Sequence, residues 1–109
     1  MPKTNEPADM RRIRDEHQAL EILRLLLDPV FNGMCNDHII GPCLDRFALG
    51  GSREQIRQAL NRLDALGLMK TNTFESFGET YVTVHLTDAG ERVAQGMDVA
   101  EGVARPSRG

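Results

Sequence analysis

The spacing of apolar residues changes period along the chain, and each change marks an element. From about Met10 to Leu27, Ile13, Leu20, Leu23 and Leu27 recur at three- to four-residue intervals, with Ile22 and Leu26 widening the stripe. That period predicts an amphipathic helix. Asp28-Pro29 should end it, because the residue before a proline is pushed out of the helical region. "VFNGMC", residues 30–35, reads as a turn or a very short strand. Asn36 is placed to cap a second helix whose inward face would carry Ile39, Ile40, Cys43, Leu44 and Phe47. Gly41-Pro42 interrupts that helix and predicts a kink, or a start near Pro42, and Gly50-Gly51 would close it.

"SREQIRQALNRLDALGL", residues 52–68, carries the clearest signal. Ser52 and Gln55 have the spacing of a capping box, in which each side chain satisfies the other's backbone N–H. Ile56, Ala59, Leu60, Leu63 and Leu66 form one buried stripe, and Gly67 suits a left-handed terminator. Glu54, Arg57, Gln58, Asn61 and Ala65 fall on the opposite, exposed face. "LMKTNTF" and "TYVTVHL" then flank "ESFGE", a glycine-containing turn, and Val82, Val84 and Leu86 alternate with Tyr81, Thr83 and His85: a β-hairpin. Thr87 can cap a short last helix, with Asp88 at its positive end and Ala89-Gly90 allowing close packing.

Helix, helix, capped helix, hairpin, short helix is an α+β order, mainly α, and it matches a winged helix-turn-helix with the hairpin as its wing. Residues 1–8 read as a flexible N-terminal arm, 9–97 as the domain, and 98–109 as a loosely held tail without periodicity.

"ALNRLDALGLMKTN" followed by "VTVHLTDAGERV" resembles the third helix, wing and "LTxxGxxx" ending of MarR-, PadR- and ArsR-like bacterial regulators. The chain is more similar still to small winged-helix proteins of Mu-like phages and prophages, where that ending precedes a "G…V…RPS" tail. Gly96, Val103 and "RPSRG" at 105–109 stand in those places, and the resemblance covers about residues 17–109. It implies the winged-helix fold, a phage or prophage origin, and a regulator's role in the bacterial host.

Composition narrows the classes. Hydrophobic residues are 40% and charged residues 27%, ordinary for a globular domain, and no apolar run reaches the length of a bilayer span. The first residues lack a secretory apolar stretch, and two cysteines make no disulfide framework. The expected compartment is the reducing cytoplasm of the host. A net charge of −3 opposes a general affinity for nucleic acid, but residues 51–72 hold Arg53, Arg57, Arg62 and Lys70 against Glu54 and Asp64. Contact with DNA would therefore be local.

In a winged helix the third helix enters the major groove. The candidate DNA-binding residues are Ser52, Arg53, Arg57, Gln58, Asn61, Arg62 and Lys70. Arg57 would read guanine, Gln58 or Asn61 adenine, and Ser52 with the helix N-terminus would hold a phosphate. The plain alternative is a solvated helix face. The wing, "FESFGET", speaks for that alternative: Glu75 and Glu79 would repel phosphate, while Phe74 and Phe77 suit a protein partner, one of them packing on the core. Arg11, Arg12 and Arg14 are offset by Asp9, Asp15 and Glu16.

Cys35, His38 and Cys43 have ligand chemistry, but a closed zinc site takes four donors and the fourth would have to be His17 or His85 from afar. The reading is no metal and no cofactor. No phosphate loop, nucleophile elbow or paired base is legible, so no enzymatic activity is expected. "ALEILRLLL", residues 19–27, is apolar around more than one face, which predicts a dimer through Ile22, Leu25 and Leu26. Two hypotheses result: a dimeric DNA-binding regulator acting on double-stranded DNA through residues 53–66, or an adaptor that binds a phage or host protein instead.

Overall fold

Seven elements follow one another in the computed structural model, which describes residues 6–106, with side chains from Ala8 onward. They are α1 (Glu6–Leu27), β1 (Met34–Asn36), α2 (Asp37–Asp45), α3 (Arg53–Ala65), β2 (Met69–Ser76), β3 (Glu79–Leu86) and α4 (Asp88–Ala94). The strands form one antiparallel sheet in the order β1-β3-β2, so the short β1 covers the inner edge of the hairpin. This α+β arrangement is compatible with a winged-helix-like fold. Residues 1–5 of the expected arm and 107–109 of the tail lie outside the described residues.

α1 begins at Glu6, earlier than its apolar pattern suggests, and only its second half meets the core. Ala19, Leu20, Ile22, Leu23 and Leu26 are buried, whereas Met10 and Ile13 project into solvent beyond the body. α1 packs against α2, α3, α4 and β3, which absorb its broad apolar arc within one chain. The expectation of a dimer interface there is thereby corrected: Ile22 and Leu26 are 0% exposed and Leu25 is half-buried against the same core. A partner could reach Ile22 or Leu26 only by displacing the elements that cover them.

Asn36 caps α2 as its position predicts, its side chain accepting the Ile39 N–H at 3.1 Å. The helix starts at Asp37 and continues through Pro42, whose nitrogen has no N–H to give to the preceding turn. Because α2 starts at Asp37, Ile40 and Leu44 share the inward face; Ile39 and Phe47 are exposed and Cys43 is half-buried. Its end is not made by Gly50-Gly51. Ala48 takes the left-handed conformation (φ 60°), and the Leu49 N–H returns to the Leu44 carbonyl at 3.0 Å.

α3 forms as its pattern dictates. The Gln55 N–H donates to Ser52 Oγ (3.1 Å), the Ser52 N–H donates to Gln55 Oε1 (2.9 Å), and Gly67 follows the helix with φ +77°. Ile56, Ala59, Leu60 and Leu63 are buried, while Leu66, beyond the last turn, is exposed. The hairpin pairs Met69 with Leu86 through Ser76 with Glu79, leaving Phe77 and Gly78 as a two-residue turn. Both have positive φ (53° and 77°), as a type I′ turn requires.

At the far end of the hairpin Thr87 Oγ1 accepts the Gly90 N–H (3.1 Å) and donates to the Gly67 carbonyl (2.7 Å). One hydroxyl thus starts α4 and ties it to the end of α3. Gly90 lies directly against the Leu68 carbonyl, with Leu86 Cδ1 2.8 Å from where a Cβ would stand. The chain beyond α4 departs from the loosely held tail expected for 98–109. Val103 is buried and the Ala104 N–H donates to the Glu16 carbonyl at 2.9 Å, so 98–106 close over α1. Among the described residues, no helix is long and apolar enough to cross a membrane.

Candidate functional site

The leucine stripe of α3 faces the core, and this leaves Arg53, Glu54, Gln58, Asn61 and Arg62 in solvent. Two concavities border that face. A groove of about 490 Å³ runs past Arg53, Glu54, Arg57, Gln58 and Asn61. A cleft of about 340 Å³ lies between α1 and α3, lined by Arg11, Arg14, Gln18, Gln55, Gln58 and Arg62 with one carboxylate, Asp15. Gln58 belongs to both. Gln18 is anchored by donating to the Leu49 carbonyl (2.7 Å), and Arg14 donates to the Gly50 carbonyl, so both side chains brace the loop before α3. No carboxylate among the described residues lies within ion-pair distance of Arg53 or Arg62.

Of the residues singled out from the sequence, Ser52, Arg53, Gln58, Asn61 and Arg62 share this face, and Lys70 is exposed at the start of β2. The Ser52 hydroxyl already accepts the Gln55 N–H and keeps its O–H free to donate. Asp64 accepts the Thr71 N–H (2.9 Å) and hydroxyl (2.5 Å), and these bonds hold its carboxyl below the usual range.

Arg57 is the correction. Its Nε donates to Asp37 Oδ2 at 2.8 Å and its Nη2 to the Thr80 carbonyl at 2.7 Å. A guanidinium spent on α2 and β3 is not presented to a guanine edge, because bidentate readout needs the fork that is already occupied. Asp37 itself went unremarked in the sequence. It is buried, and its Oδ1 accepts the Val82 N–H at 3.0 Å. Burial alone would push its carboxyl up; the Val82 N–H and the Arg57 guanidinium outweigh that and hold it below the ordinary range. Nothing local marks Asp37, whose partners stand 20 and 45 residues away.

His38 also turns to the hairpin. Its Nε2 lies 3.1 Å from the Thr80 carbonyl, which can only accept, so that nitrogen carries the proton. The ring stacks on Tyr81 at 4.2 Å, and Tyr81 stacks on Phe74 at 5.2 Å. Neither wing phenylalanine packs on the core: Phe74 is 47% and Phe77 100% exposed. Cys35 is buried in β1, where desolvation pushes its thiol up. Among the described residues, no three His, Cys, Asp or Glu side chains converge as metal ligands would.

These features define an α+β protein with four helices, a three-stranded antiparallel sheet and a polar, locally basic helix face beside a projecting hairpin. The chain is 36% identical over 94 residues to the uncharacterized protein gp26 of Escherichia phage Mu, a match covering 86% of this chain and 92% of gp26. The chain belongs to the family of that phage protein, which supports a phage origin. No protein-family model matches it, and no solved structure does.

Proposed function

We propose that the chain is a winged-helix protein that binds double-stranded DNA through α3, and that it regulates transcription or another DNA transaction in the host cytoplasm. The observation that carries this reading is the pair of polar concavities that share Gln58 on the α3 face. Arg53, Asn61 and Gln58 line one, and Arg11, Arg14 and Arg62 line the other. On this reading Gln58 and Asn61 contact base edges, while Arg53, Arg62 and Lys70 neutralise phosphates and Arg11 reaches along the cleft. The net charge of −3 and the acidic wing keep affinity modest, and the number of cations that meet phosphates sets how it falls with salt.

Binding of a labelled mixed-sequence duplex, followed by anisotropy over a salt series, tests it. Binding that weakens linearly in log salt supports the reading, and no binding at low salt sinks it. The second reading, an adaptor for another protein without DNA contacts, is favoured by one feature: the wing presents exposed Phe74 and Phe77 beside Glu75 and Glu79.

A further inference from the structure

The hairpin tip bears costs that nothing among the described residues offsets. Phe77 is 100% exposed, so its ring gains no packing. It also stands at φ 53°, in a turn type that takes Asn or Gly because a bulky side chain is disfavoured there. The tip is nonetheless presented firmly. The His38–Tyr81–Phe74 stack stiffens one face of the hairpin, and Arg57 and Asp37 pin β3 at Thr80 and Val82. Glu75 and Glu79 flank it, exposed, and their charge repels nucleic acid, anionic lipid and the equally acidic tip of another wing.

What fits is an apolar pocket with a cation at one edge, and the chain carries one. Between α1, α3 and the returning tail lies a pocket of about 270 Å³, walled by Ala19, Ala59, Leu63 and Leu66, with Arg62 and Glu101 as its charged members. Arg62 also lines the neighbouring cleft, where Arg11 and Arg14 stand with Asp15 and leave a positive excess. Glu101 then sets the orientation, since the wing carboxylates must lie on the Arg62 side.

We infer that the hairpin tip of one copy docks into this pocket of a second copy, Phe77 entering between α1 and α3 while Glu75 and Glu79 face Arg62 and the α1 arginines. The contact is head-to-tail, so each docked copy still offers a tip and a pocket, and assembly continues into chains or closes into a ring. The inference does not rest on the DNA reading. Because both use Arg62, duplex DNA and assembly compete.

Sedimentation velocity of the full chain without DNA, over a wide concentration range, tests it. Species larger than a dimer should grow with concentration and recede with salt. Phe77→Asn removes the ring and suits the turn, so association should weaken at least about tenfold while the thermal midpoint holds or rises. Glu75→Arg and Arg62→Glu should each weaken association, and the two combined should restore it. A chain that stays monomeric throughout, its tip then reserved for a different protein, overturns the inference. So does association that survives Phe77→Asn, or a charge exchange that restores nothing.

Discussion

Arg57 on α3 and Asp37 in the first turn of α2 form an ion pair of 2.8 Å, and both also hold β3, through the Thr80 carbonyl and the Val82 N–H. Three elements remote in sequence thus meet at one charge pair. The Asp37 side chain is 0% exposed and that of Arg57 is 29% exposed, so their losses are unequal. Arg57→Ala strands a buried carboxylate and should cost about 3 kcal/mol. Asp37→Ala leaves Arg57 partly hydrated and the Val82 N–H unpaired, for about 2 kcal/mol. Urea unfolding should return that order, and the double variant should cost less than the sum.

The same pair sets an acid sensitivity. The Asp37 carboxyl is held below its unfolded value, so its stabilisation is complete above the ordinary carboxylate range and is lost as pH falls through the lowered folded value. Unfolding free energy followed from pH 6 down to about pH 2 should decline below roughly pH 4. Asp37→Asn should be less stable at neutral pH and show a shallower decline. An unchanged slope would place the sensitivity elsewhere.

Gly90→Ala tests the close seat of α4. The added methyl would meet the Leu86 side chain and the Leu68 carbonyl, backbone that the Thr87 bond to neighbouring Gly67 holds in place. A loss of about 2 kcal/mol is expected, against the small gain that Ala ordinarily brings to a helix. Thermal unfolding measures it.

Val103→Ala asks whether the tail is part of the domain. Val103 is 6% exposed, so deleting its two methyl groups should cost about 1.5 kcal/mol. The Ala104 N–H, bonded to Glu16, should exchange slowly with deuterium and speed up in the variant. A tail without a structural role would show neither change.

On the DNA reading, Arg53→Ala and Arg62→Ala should each lower the salt dependence of duplex binding by about one counterion. Arg57→Ala should leave that slope unchanged at temperatures where the variant is folded, because its guanidinium belongs to Asp37 and Thr80. An equal loss of slope from Arg57→Ala would return that side chain to the interface.

What the chain determines by itself is whatever a residue negotiates with neighbours within about one helical turn. The Ser52–Gln55 capping box, the Asn36 and Thr87 caps, the left-handed Gly67 and the paired strands around Phe77-Gly78 all follow from such short separations. Most of the order of elements, and five of the six groups expected on the α3 face, were therefore legible, along with Lys70 beside it. Tertiary structure decided which apolar and charged groups remain for a partner. Ile22 and Leu26 read as surplus until four elements close around α1, Arg57 reads as presented until α2 brings Asp37 beneath it, and 98–106 read as loose until Val103 finds the core. Burial and ion pairing depend on which distant segment arrives, and that is a property of the packed whole rather than of any local run of residues.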